Sequence, residues 1–268
     1  MTSSALSLHH LTIADLSVPD FLRLAGKGDC SAVTLFTNNL GYDFPMVADD
    51  EVKEIRRILD GEGLALSSTC DFIVSSADGI EGQKKYLAMA AELGAKYAST
   101  VIGDTDEGRA VEALAEFAAA AGDHGMRVAI EFLLMTPGCP TIEKADELIR
   151  KSGATNTGIL LDVTHFTRSG GTIEGLRAMD TSLVEYVHLA DGPAYWPEDK
   201  LAEEVLYDRL VPGEGEFPLV DILAAVPRSA ILEVEAPTTT AAAEGVSAED
   251  RMARYVGGAR SVIAAAYA

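Results

Sequence analysis

A single-domain (β/α)8 barrel over residues 1–268 is the fold that this sequence predicts. Three observations predict it. Short apolar runs bounded by turn-formers alternate with helix-length amphipathic stretches from one end of the chain to the other, a beat that specifies parallel strands joined by helical crossovers. Four of the later apolar runs end in a carboxylate or an imidazole, where the carboxyl ends of barrel strands open onto an active-site face. The length suits one such barrel, which needs about 250 residues.

In chain order, Leu6–Ile13 reads as the first strand, with His9 and His10 facing opposite sides because side chains alternate. Phe21–Ala25 is a short helix and Ala32–Phe36 the second strand. The loop from Thr37 to Asp50, rich in Asn, Gly and Pro, is expected to shape specificity at the upper rim. Asp49 and Asp50 open a helix that runs through Leu59 and stops at Gly61 and Gly63. Leu64–Ser68 is strand three, Gly79–Leu93 a helix closed by Gly94, Tyr97–Ile102 strand four, and Glu107–Ala121 an Ala-rich helix. Arg127–Phe132 is strand five, and Ile142–Lys151 is its helix with a solvated charged face. Strand six occupies Gly158–Leu161 and is followed by a helix over Ile173–Ala178. Strand seven, Val184–Leu189, precedes the longest polar excursion, Asp191–Pro218, in which Pro and Gly predict an ordered lid or rim. Strand eight, Ser229–Val234, leads to a terminal helix over Ala248–Ala266.

Composition narrows the function. The 268 residues carry 42 acids against 21 Lys and Arg, a formal net charge of −21, and no basic cluster with which to hold a polyanion. Nucleic acid is therefore not an expected partner, whereas divalent cations would concentrate near such a surface. Three scattered cysteines form neither a disulfide framework nor a thiolate metal site. No run of 18 apolar residues occurs, and Met1–His10 lacks the basic and apolar regions of a secretory signal, so the reading is a cytoplasmic protein with no membrane partner. Gly-x-Gly-x-x-Gly, Gly-Lys-Ser/Thr and Gly-x-Ser-x-Gly are all absent, which removes support from nucleotide folds and serine hydrolases.

The chemistry lies at the ends of strands five to eight. Val128–Ile130 leads into Glu131, Gly158–Leu161 into Asp162, Val184–Val187 into His188 with Asp191 behind it, and Ala230–Leu232 into Glu233 with Glu235 two residues on. On one barrel these side chains converge at one rim. Three carboxylates and an imidazole make a hard, oxygen-rich set that suits Mn2+ first, then Mg2+ or Co2+, with Zn2+ less favoured. Such an ion suits proton abstraction beside a carbonyl, with Glu131 and Glu233 facing the substrate from opposite sides as bases. His165, three residues past Asp162, is a candidate base and substrate contact, and Arg168 and Arg209 are candidates for neutralising a substrate oxyanion. Spacing alone leaves the choice between Glu233 and Glu235 as ligand open, since both lie on one strand face.

The segments Ile130-Glu131, Leu161-Asp-Val-Thr-His165 with Arg168-Ser-Gly-Gly171, Val187-His-Leu-Ala-Asp-Gly192, Pro212-Gly-Glu-Gly215 and Leu232-Glu-Val234 resemble the xylose-isomerase-like TIM barrel superfamily, in its sugar-phosphate isomerase/epimerase branch. The motifs span Glu131 to the C-terminus, and the architecture covers the whole chain. The resemblance implies metal ligands at Glu131, Asp162, His188 and Glu233, favouring Glu233 over Glu235, with His165 lining the substrate. It implies a divalent-metal isomerase or epimerase of a small sugar-like hydroxy-ketone, acting through an enediolate. A dehydratase of a cyclic keto-polyol or keto-acid is the alternative, raised by the long Asp191–Arg209 excursion that stands where ketose epimerases carry a short loop with an arginine. The endonuclease branch needs more than the five histidines present. A barrel without turnover, serving as a ligand-binding or partner subunit, is a third reading against which the intact ligand set argues. Acidic barrels of this kind often associate, which allows a homo-oligomer, but no heptad or exposed apolar strip marks an interface.

Overall fold

The computed structural model describes residues 5–38, 44–75 and 77–268. Eight strands close into a barrel in sequence order: β1 (Leu6–His9), β2 (Ala32–Phe36), β3 (Ala65–Val74), β4 (Tyr97–Ile102), β5 (Arg127–Glu131), β6 (Thr157–Asp162), β7 (Val184–Leu189) and β8 (Ile231–Val234). Every pair is parallel, and β1 closes onto β8 through Leu6–Leu232, Ser7–Glu233 and Leu8–Val234. The fold is a single (β/α)8 TIM barrel. Closure leaves no strand edge, so each strand can be apolar on its outer face without becoming a template for aggregation.

The helices are α1 (Val18–Lys27), α2 (Val52–Glu62), α3 (Ala77–Leu93), α4 (Glu107–Gly122), α5 (Ile142–Ser152), α6 (Val163–Arg168), α7 (Ile173–Ala178), α8 (Leu201–Leu206), α9 (Leu219–Ala225), α10 (Thr239–Ala243) and α11 (Ala248–Ala266). Their apolar stripes pack on the outward strand residues Leu6, Leu8, Val33, Ala98, Val128, Ile130, Leu161, Val187 and Val234 to form the main core. Inside the barrel, Ala129, Leu160 and Tyr186 pack with Tyr97 and Ile231 into a smaller apolar plug. Above that plug the inward positions turn polar, and the site begins there.

Three elements depart from expectation. The first strand stops at His9, because His9 Nδ1 accepts a hydrogen bond from the Leu11 amide (3.0 Å) and turns His10–Ile13 into a 3-10 helix. Strand three runs on to Val74 through a register shift between Thr69 and Phe72. Asp49 and Asp50 precede a turn, and α2 starts at Val52 and ends at Gly63, whose φ of +69° suits glycine. Residues 39–43 of the 37–50 loop, expected to set specificity, lie outside the described residues.

Candidate metal centre and active site

Parallel strands point alternate side chains inward, and the last inward residue of each strand reaches the carboxyl-terminal rim. On β5 that residue is Glu131, on β6 Asp162, on β7 His188, and just past β8 it is Glu235. All four are buried, and one ligand atom from each lies within 4.8 Å of the others. His188 Nδ1 stands 3.6 Å from Glu131 Oε1, 3.9 Å from Asp162 Oδ2 and 3.4 Å from Glu235 Oε2, and it has no hydrogen-bond partner. A buried imidazole nitrogen without a partner, facing three carboxylates, fits a divalent cation.

Glu233, the residue expected to complete the quartet, lies behind these four. Two residues earlier on the same inward face, it sits one layer deeper and fully buried. Its Oε1 accepts from Ser7 (2.5 Å), Thr34 (2.8 Å) and Tyr186 (3.1 Å). His188 Nε2 lies 3.0 Å from its Oε2 as an ion-pair contact. Glu233 thus stands behind the imidazole, where a carboxylate can set the orientation of a histidine ring, and it does not line the cavity above the cluster. Glu235 takes the rim position.

Asp162 uses its two oxygens differently. Oδ1 caps α6, accepting from the amides of Thr164 (2.6 Å) and His165 (3.2 Å), while Oδ2 accepts from Arg209 Nη1 at 2.7 Å. Cap and candidate ligand are one residue. Arg209 Nη1 also donates to Glu235 Oε2 (2.9 Å), and its buried Nε–H is unpartnered. His9, from β1, approaches Glu235 Oε1 at 3.5 Å and Cys70 Sγ at 3.2 Å.

Burial and charge set the protonation states. Burial pushes the Glu131 carboxyl up to about 7, against the pull of His188 and with a push from Glu235 and Asp162. Burial alone would lower His188, but Glu235, Glu131 and Glu233 hold it well above its ordinary value. For Glu235, burial is outweighed by His188, His9 and Arg209, which keep it ionised well below the usual range. Burial pushes His165 down, so it is neutral.

A cavity of about 370 Å³ opens above the cluster, with Glu131, His165, Arg209 and Glu235 on its floor. His165 Nε2 is 3.8 Å from Glu131 Oε1. Arg168, expected to meet substrate, is not there: it pairs with Glu204 (Nε–Oε2 2.8 Å), donates to the Pro193 carbonyl and stacks over Phe217. Its guanidinium is spent on holding the 191–218 lid.

The chain matches the family model described as xylose isomerase-like TIM barrel over residues 22–254. It belongs to that family. An inosose isomerase of Bacillus subtilis (strain 168) is 32% identical over 118 residues, 43% of this chain and 41% of that protein. A 3-dehydroshikimate dehydratase of Pseudomonas aeruginosa (strain PAO1) is 31% identical over 117 residues, 42% of this chain and 18% of that protein. The chain thus spans about two fifths of the isomerase's length in the match and less of the dehydratase's. Among solved structures, the IolI protein with a bound zinc atom aligns with a TM-score of 0.80 at 19% identity, covering 97% of this chain and 98% of that one. That likeness shows the fold. No described helix is long and apolar enough to cross a membrane.

Proposed function

We propose that this chain is a divalent-metal-dependent isomerase or epimerase of a small hydroxy-ketone, with Glu131, Asp162, His188 and Glu235 as ligands. The unpartnered, buried Nδ1 of His188 among three carboxylates carries the reading. The oxygen-rich donor set favours Mn2+, although the IolI neighbour holds zinc. An ion held there would polarise a substrate carbonyl and disperse the negative charge that grows as the adjacent carbon loses its proton.

The protein's own groups handle that proton. Glu131, with an edge on the cavity floor, takes it from the carbon. Returning it to the neighbouring carbon, as the hydroxyl proton passes to the former carbonyl oxygen, gives an isomer; reprotonation of the original carbon from its opposite face, on the side of Glu235 just past β8, gives an epimer. Arg209 fixes Asp162 and Glu235 so that neither rotates as charge moves. His165 supplies a neutral imidazole at the substrate's edge.

A dehydratase is the second reading, favoured by the Pseudomonas relative and by His165 beside Glu131. There the carbon-bound proton goes to Glu131 and then to the departing β-hydroxyl, which leaves as water with the neutral His165 imidazole hydrogen-bonded to it. Incubation with inosose and with 3-dehydroshikimate separates the two, since elimination raises ultraviolet absorbance and isomerisation conserves mass.

The ligand set is tested by elemental analysis of purified protein. About one divalent ion per chain is expected, lost in His188→Ala and Glu235→Gln. In Glu233→Gln it should be retained with affinity lower by about 10–100-fold, as befits a residue that only orients a ligand. Loss in Glu233→Gln with retention in Glu235→Gln would reverse the assignment.

A further inference from the structure

The walls of the cavity do not match its floor. Among the described residues, the ionisable side chains lining it are Glu131, His165, Arg209 and Glu235, all gathered at the ion site. Above them, Leu11, Phe36, Ile73, Val101, Met135 and Leu206 form the wall, and among the described lining residues only Thr136 adds a further polar side chain. These apolar groups come from the ends of β2 to β4, from the turns after β1 and β5, and from the lid helix α8, so the substrate is ringed by hydrocarbon on several sides. The apolar character continues to the mouth, where Ile73 is 38% and Met135 42% exposed.

A polyhydroxylated chain is poorly served by such a wall. Each hydroxyl that leaves water needs a donor or acceptor, and a buried hydroxyl without one loses more than a methylene would. A hydrocarbon surface in the same place gains by leaving water. We propose that the hydroxy-ketone or keto-acid accepted here carries an apolar body, a ring or branched hydrocarbon, where a sugar carries its row of hydroxyls. The inference rests on the metal-site reading above: the ion and its carboxylates take the oxygenated end, and the wall takes the rest.

Three hydroxamates that share one chelating head test this by calorimetry on the Mn2+-loaded protein. Acetohydroxamate is the head alone, cyclohexylacetohydroxamate adds an apolar ring, and gluconohydroxamate adds a polyol chain. The ring is expected to tighten binding at least tenfold over the head, in the range that apolar pockets discriminate, while the polyol adds nothing. A polyol gain equal to or larger than the ring's overturns the proposal. If acetohydroxamate shows no metal-dependent binding, the metal-site reading fails and this proposal falls with it. Ile73→Asn and Leu206→Asn, two wall positions that are not fully buried, should each narrow the gap between ring and head severalfold. An unchanged gap in both, with melting curves showing folded protein, would place the ring elsewhere.

Discussion

His9 and His10 are neighbours with different fates, and both are buried. His9, the last residue of β1, points inward to Glu235, and His10, the first residue of the 3-10 turn, stacks against Phe21 at 4.4 Å between ring centroids. His10 Nε2 donates to the Leu16 carbonyl at 3.0 Å, and Nδ1 has no partner. Burial holds this imidazole down at about 4. The unfolded chain therefore takes a proton near pH 6.5 that the folded chain refuses until about pH 4, so stability falls as pH drops through that window, by on the order of 3 kcal/mol. In His10→Phe the slope of unfolding free energy with pH, measured by urea titration, should be shallower between those limits. An identical slope would mean that His10 is not the group responsible. That the two side chains diverge was legible in the sequence. The burial of both was not, because for His10 it depends on Phe21 of α1 stacking over the ring and for His9 on the closure of the barrel.

The same limit explains Glu233 and Glu235. Period two places both on the inner face of β8, but which one reaches the rim depends on where the strand ends relative to its neighbours. That is fixed by the register His188–Glu233 and Asp162–His188, a property of paired strands that no single strand's sequence carries. Among elements, long helices and buried strands were legible because their periodicity extends over many residues. The six-residue α6, the seven-residue α9 and α8 within the lid are too short to show a period. In the 191–218 segment, side chains hold the turns in place. Asp191 gathers it by accepting from the amides of Gly192, Gly213 and Phe217, and Gly215 lies so close to Asp191 Oδ1 that a Cβ there would stand 2.3 Å away. The lid is anchored to α6 by Arg168 and Glu204, whose side chains are 7% and 2% exposed. Replacing Arg168 by Met strands the Glu204 carboxylate in a buried site, at a cost of about 3–5 kcal/mol. Arg168→Met should lower the urea midpoint and expose the lid to limited proteolysis, and adding Glu204→Gln should recover part of the loss. A double variant as unstable as the single would mean that the stranded charge is not the cause.

Over the whole molecule, the closed barrel places an excess of negative charge on a compact body. Acids outnumber Lys and Arg by 42 to 21. Many surface acids are paired locally, as in the Lys144, Lys151, Glu107 and Glu147 network on α4 and α5. Such exposed pairs contribute about 0–1 kcal/mol each and weaken with salt. The unpaired remainder repels itself through solvent, and that repulsion is also screened within about 10 Å at 0.1 M salt. The two effects oppose each other in sign, and the two-to-one excess of acids decides between them: relief of repulsion exceeds loss of pairing. The melting temperature should therefore rise as NaCl goes from about 10 mM to about 150 mM, a range in which the Debye length shrinks from about 30 Å to about 8 Å. Both members of the comparison are measured in chelator, so that stabilisation by an ion at the rim does not enter. A melting temperature that falls over this range would show that the surface networks outweigh the net charge.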